Sequence, residues 1–200
     1  MLLKIRYGNT NTFLIKGTKS SILIDTDYAG TLPAFYKAIK ELGIKVSDIN
    51  YVLATHYHPD HIGLVSELMD QGVKLILMES QVNSVHYSDT IFAKEPHLNY
   101  KPIDESMAMI LKFDDAHSFL DSLGISGNIG STKSHSEDSI YIALSDGTFI
   151  LGDLEPLGYL DAYQDNLALK EDWEQILRQK PRLFLYAHAN EQFRQIPNTF

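Results

Sequence analysis

Cysteine is missing from all 200 residues, which excludes disulfides, thiolate metal ligands and a cysteine nucleophile together. No stretch approaches the ~18 uninterrupted apolar residues of a membrane span, so a soluble chain without a membrane partner is expected. Internal repeats, low-complexity tracts and Gly/Ser linkers are also lacking, and a single domain over residues 1–200 is the expectation. The opening Met1-Leu2-Leu3-Lys4-Ile5-Arg6 breaks with charge the apolar core that a secretion signal needs, so a cytoplasmic location is expected. Positive charge is scarce: 17 Lys and Arg stand against 26 Asp and Glu, for a net −9. Such a surface repels polyanions at long range and weighs against nucleic acid as the partner. What is present is ordinary for a globular protein, with 44% hydrophobic and 22% charged residues.

Short apolar runs alternate with amphipathic stretches. Ile22–Ile24, Val52–Ala54, Leu75–Met78, Phe149–Leu151 and Leu183–Tyr186 show no polar alternation, which predicts strands buried on both faces. Asp146-Gly147 between Ile140–Leu144 and Phe149–Leu151 predicts a tight hairpin with positive φ at both positions. Gly17 suggests a second hairpin between Phe13–Ile15 and Ser21–Ile24. The 3.6-residue period appears at Phe35, Ala38, Ile39 and Leu42, with Pro33 near the start and Gly43 as the stop. It recurs at Val65, Leu68 and Met69, running to Gly72, and at Leu169, Trp173, Ile176 and Leu177, ending before Lys180-Pro181. Segment 80–126 is weakly patterned and reads as one or two helices, Phe119, Leu120 and Leu123 fitting one of them. Strands, helices and hairpins in this alternation point to an α/β sandwich with mixed sheets.

The chemistry is concentrated in Thr55-His56-Tyr57-His58-Pro59-Asp60-His61, directly after an apolar strand. A His-x-His-x-Asp-His string arises by chance in about one chain in a thousand of this length and composition. Residues two apart in an extended loop can reach one ion, so His56 and His58 form a pair, and the turn at Pro59 lets Asp60 and His61 face a second ion. Imidazole and carboxylate without thiolate suit zinc, with iron or manganese as alternatives. Asp25, Asp153 and His188 each fall just past the end of a predicted strand, as His56 does, and sites on α/β sheets assemble outside strand ends. His135 lies in the polar loop Ser131–Asp138. His86, His97 and His117 sit in weakly patterned sequence and read as solvated.

Thr55–His61, Ser134–Ser139, Gly152-Asp153-Leu154 and Ala187-His188 resemble, in order and spacing, the metal motifs of the metallo-β-lactamase superfamily. The resemblance runs from Leu23-Ile24-Asp25-Thr26 to His188. It implies a four-layer αβ/βα sandwich, two mixed sheets flanked by helices, with the site at one edge. It also implies that His56, His58 and His135 hold one divalent metal ion, that Asp60, His61 and His188 hold a second, and that Asp153 bridges them. Asp60 and Asp153 would then be the catalytic carboxylates. Asp25 would orient a ligand loop without binding metal, a plain strand-end cap being the alternative. The implied function is a dinuclear, zinc-dependent hydrolase in which a metal-bridging hydroxide attacks a small-molecule ester, thioester, lactone or phosphodiester. The antibiotic-hydrolysing members lack a bridging aspartate, so Asp153 argues against true β-lactamase activity. The alternative is a non-hydrolytic diiron oxygen-binding or oxygen-reducing protein related to flavodiiron proteins, which His135-Ser136-Glu137-Asp138-Ser139 resembles in its Asp-Ser ending; those proteins usually carry Glu where His58 stands. Lactonases of the family use a tyrosine three residues past the bridging aspartate, where this chain has Pro156. Tyr28, Tyr159 and Tyr163 are the candidate substrate contacts.

Overall fold

Strands apolar at every position need cover on both faces, and two sheets with helices outside them supply it. The computed structural model describes residues 1–194. β1 (Leu2–Arg6), β2 (Asn11–Lys16), β3 (Ser21–Ile24), β4 (Tyr51–Leu53), β5 (Lys74–Met78) and β6 (Met109–Leu111) form a six-stranded sheet in chain order. Its β1–β3 part is antiparallel and its β3–β6 part parallel. β7 (Gly127–Ser131), β8 (Ile140–Leu144), β9 (Thr148–Ile150), β10 (Leu183–Leu185) and β11 (Gln192–Phe193) form a five-stranded sheet in which only β9 and β10 run parallel.

Side chains alternate across a strand, so each apolar run divides between two cores. Ile22, Ile24, Leu53 and Ile76 point inward and meet Ile142, Ile150 and Leu185 of the other sheet. Their neighbours Leu23, Val52 and Leu75 point outward, under Phe35 and Ile39 of α1 (Leu32–Glu41) and Val65 and Leu68 of α3 (Val65–Met69). On the far side, Phe149 and Phe184 lie under Leu169, Trp173 and Ile176 of α6 (Leu167–Arg178). The result is the expected helix–sheet–sheet–helix sandwich.

Three local expectations change. At the β8–β9 hairpin only Gly147 has positive φ, at +88°, so Asp146-Gly147 is not the two-residue turn that Asp-Gly suggested. A Leu144–Gly147 turn forms instead, with the Gly147 amide donating to the Leu144 carbonyl and the Thr148 amide to Asp146 Oδ1, the longer alternative for a left-handed glycine. Segment 80–126 holds the helix α5 (Phe113–Ser122) and the short α4 (Asp89–Phe92), but also the edge strand β6. Three residues with Met109 and Ile110 exposed display no readable period. The Val65 helix stops at Met69, short of Gly72. Among the described residues no helix is long and apolar enough to cross a membrane.

The strand directions decide where the site lies. β3 and β4 are parallel, as are β9 and β10, while β8 runs antiparallel to β9. The segments after β3, β4, β9 and β10 and the loop before β8 therefore share one edge of the sandwich. Two backbone bonds lace the sheets together there, Ile140 N to Thr55 O at 2.8 Å and Asn11 N to Ala187 O at 2.7 Å.

Candidate metal centre

Pro59 begins the one-turn helix α2 (Pro59–Ile62), where a fixed φ and a missing N–H cost nothing. The turn is closed by the His61 amide on the His58 carbonyl, and Thr26 ties the His61 carbonyl to β3 through its amide and hydroxyl. From α6, Asp172 accepts the Lys133 and Ser134 amides and so fixes the loop that carries His135. Gly152 aims Asp153. Its φ is +56°, and a Cβ there would fall 2.5 Å from Thr55 Oγ1. Gly152→Ala is expected to lower stability by about 1–2 kcal/mol from backbone strain alone, with a further loss from displacing Thr55. Denaturant unfolding measures it, and a midpoint equal to the parent's would contradict the argument.

Three ring nitrogens and a carboxylate make the first group. His135 Nε2 stands 3.1 Å from His56 Nε2 and 3.2 Å from His58 Nδ1, with Asp153 Oδ2 at 3.6 Å from His135 Nε2 and 3.7 Å from His56 Nε2. In the second group His188 Nε2 is 3.3 Å from His61 Nε2 and 3.1 Å from Asp60 Oδ2. Asp153 Oδ1 faces this group, 3.3 Å from His61 Nε2 and 3.4 Å from His188 Nε2. The donor atoms of His56, His58, His135 and Asp153 all lie within 4.8 Å of one another, as do those of Asp60, His61 and His188.

This donor set fits divalent cations. One proton between three converging imidazole nitrogens serves a single contact and leaves the other lone pairs opposed, whereas a cation satisfies all of them. Asp153 Oδ1 is buried without a hydrogen bond, and an orphaned buried carboxylate oxygen calls for a partner.

Asp25 is the anchor beneath. At φ +59°, its Oδ1 accepts the Thr55 amide at 2.6 Å, and its Oδ2 accepts the Thr55 hydroxyl at 2.9 Å and lies 3.2 Å from His61 Nδ1. With its proton on Asp25, the Thr55 oxygen faces His56 Nδ1 at 3.2 Å as an acceptor. His188 Nδ1 faces the Asn9 carbonyl at 3.3 Å, which can only accept. The outer Nδ1 of His56, His61 and His188 thus holds a proton and Nε2 is turned to the centre, whereas His58 turns Nδ1 inward.

Charge reinforces this arrangement. Burial opposes a charge on His61, but Asp25 and Asp153 outweigh it and push the imidazole up to about 10. Burial, with repulsion from the neighbouring imidazoles, drives His56 well down, and burial lowers His135. Asp153 and Asp60 are held at about 2: burial opposes their ionisation, and His61 and His188 overcome it. The metal-free protein therefore keeps a proton on His61 that a cation must displace.

The predicted substrate contacts separate in space. Tyr159 lines a cavity of about 300 Å³ beside His135, Asp153 and His188 and Tyr163 lies outside that lining, both rings being exposed. Tyr28 donates its hydroxyl to Glu95 Oε1 at 2.6 Å and packs on Phe92. His86, read as solvated, is held between Asp89 (2.8 Å) and Glu105 (2.9 Å), and the Asp89 bond raises its pKa. His117 Nδ1 faces the Gly127 carbonyl at 2.8 Å, and His97 is exposed. The sequence reading missed Thr55 and Asp172 as supports of the site, and also Asp138, which accepts the Tyr57 amide at 2.8 Å, and Tyr87, whose ring lies 5.2 Å from that of His58. Only Asp172 carried a signal, a carboxylate beside Trp173 on the buried side of a helix.

A family model described as the metallo-beta-lactamase superfamily matches residues 5–188. Among curated proteins, the flavo-diiron protein FprA2 of Clostridium acetobutylicum is 29% identical over 119 residues, 56% of this chain and 29% of that one. The lactamase-like protein nscB of Arthroderma benhamiae is 35% identical over 95 residues, 47% of this chain and 18% of that one. The matched stretches thus span less than a third of these relatives' own length. Among solved structures, a metallo-beta-lactamase family protein from Thermus thermophilus superposes with a TM-score of 0.70 at 18% identity, covering 96% of this chain and 73% of that one. The FEZ-1 metallo-beta-lactamase from Legionella gormanii gives 0.66 at 20% identity, covering 94% and 76%. At these identities the likeness is one of fold.

Proposed function

For a chain that belongs to the metallo-beta-lactamase superfamily, we propose a dinuclear metallohydrolase, zinc-dependent, acting on a small ester, thioester, lactone or phosphodiester. The observation that carries this reading is the placement of Asp153 between two donor groups, Oδ2 toward His56 and His135 and Oδ1 toward His61 and His188. His56, His58 and His135 would hold one ion and Asp60, His61 and His188 the other, with Asp153 shared. Bound divalent ions supply Lewis acidity for a carbonyl or phosphoryl oxygen and bring the pKa of water toward neutrality.

The residues of the chain do the rest. Asp25 and Thr55 hold His56 and His61 in a single orientation, so the donor atoms meet without reorganisation. Asp60 and Asp153, both at about 2, stay ionised at neutral pH and so keep two negative charges ready for bound cations. Among the described residues the only hydroxyl within hydrogen-bond reach of a site imidazole is that of Thr55, and it donates to Asp25. That arrangement provides no serine nucleophile and favours water as the attacking group.

A second reading, a diiron oxygen-binding or oxygen-reducing protein, draws support from the flavo-diiron relative. Metal analysis separates the two. Protein purified without added metal should carry about two zinc ions per chain and hydrolyse a generic ester, lactone or phosphodiester, with activity removed by chelator and restored by zinc. Two irons with visible absorbance that responds to oxygen, and no hydrolysis, would establish the second reading instead.

A further inference from the structure

The cavity beside the metal centre carries a chemical signature of its own. Its inner end is made by Asp153, His135 and His188, and its wall by Leu154, Pro156, Tyr159 and Tyr186. Among the described residues no Lys or Arg lines it, and Glu155 adds a second carboxylate. Glu155 is exposed and has no ion-pair partner among the described residues. Its backbone is nevertheless fixed at the cavity, because the Trp173 indole donates to its carbonyl at 2.9 Å and Pro156 follows it. Tyr186 is buried and its hydroxyl donates to Gln192, so it offers the cavity a ring face more than a free donor.

A cavity that recognised phosphate or carboxylate would present Arg or Lys to it. This one presents apolar and aromatic surface with one free negative charge. Any positive charge would have to come from bound ions, and Asp60, Asp153 and Glu155 offset most of that from two divalent cations.

We infer that the substrate portion seated in this cavity is uncharged and apolar or aromatic, and that Glu155 excludes anionic acyl groups. The inference rests on the hydrolase reading and narrows its substrates to neutral esters and lactones, away from phosphodiesters and carboxylate-bearing acyl compounds. The binding is hydrophobic burial against Leu154, Pro156 and Tyr159 with electrostatic rejection at Glu155.

The test uses the zinc-loaded full chain and a matched pair of substrates, 4-nitrophenyl benzoate and 4-nitrophenyl 4-carboxybenzoate, which differ by one remote carboxylate. The neutral ester is expected to have the higher kcat/KM by roughly five- to tenfold, the size of one partly screened charge contact. Glu155→Gln should narrow that ratio and Glu155→Lys should invert it. Equal rates in the parent protein, or a ratio that ignores Glu155→Lys, overturns the inference. The uncleaved pair benzamide and 4-carboxybenzamide gives a readout independent of turnover, by ligand-observed NMR. The neutral amide should bind more tightly, and tighter binding of the anionic amide overturns the inference. Failure of both esters to turn over would defeat the hydrolase reading, while the amide pair still decides the charge preference of the cavity.

Discussion

Asp153→Ala should abolish turnover, a loss on the order of a thousandfold, while the protein stays folded. The two effects part company for a structural reason. Asp153 Oδ1 is buried with no hydrogen bond, and what it gives the metal-free fold is its charge attraction to His61 at 3.3 Å, which Asp25 also supplies. Truncation removes a desolvated carboxylate and leaves His61 still paired with Asp25 at 3.2 Å. At neutral pH, stability without metal should therefore fall by no more than about 2 kcal/mol, the size of the Asp153 pKa depression. Function depends on the same residue twice, since each oxygen faces one donor group. Loss of a supporting partner costs roughly 10–100-fold in metal affinity or activity, and loss of a shared ligand should exceed that. Elemental analysis should show fewer than two ions per chain, with cooperative thermal unfolding in chelator only modestly lowered. Full activity in the variant would remove Asp153 from the centre, and a collapsed fold would make it a structural residue.

Asp25→Asn should lower stability and metal affinity together. Every partner of the Asp25 carboxylate is a donor: the Thr55 amide, the Thr55 hydroxyl and His61 Nδ1. An asparagine of the same shape must turn its NH2 toward one of them, opposing donor to donor in a buried position, at a cost of about 1–3 kcal/mol. The same change releases His61 from its orientation and removes a charge that favours its outer proton. Metal binding should weaken by roughly 10–100-fold, and most at the ion held by His61. Chelator competition together with denaturant unfolding checks both halves. A stable variant with parental metal affinity would reduce Asp25 to a strand-end cap.

Much of this was legible in the residue string because the signals are local. A strand buried on both faces shows itself as an unbroken apolar run, and Ile22–Ile24 and Leu75–Met78 are found where that pattern puts them. The ligand-type side chains of 56–61 are neighbours in sequence, so their clustering needs no fold to be noticed. Elements with too few residues to show a period were lost: β6 has three, with two exposed. The supports of the site were hidden for another reason. Thr55 and Asp172 are ordinary polar residues whose importance lies in what they touch, and those partners are 30 and 38–39 positions away.

By itself, then, the sequence determined the donor types, the absence of thiolate, the alternation of buried strands and the glycines at the bends. These follow from side-chain chemistry and from steric rules that act over a few residues. The tertiary structure alone decided that His135 reaches His56 across 79 residues and His188 reaches His61 across 127. It also decided that Asp153 turns one oxygen to each group, that Tyr159 and not Tyr163 walls the cavity, and that Glu155 is the free charge within it. Such directions depend on the register of two sheets and on the bonds that join their edges, and a one-residue shift in a strand would reverse every side chain along it.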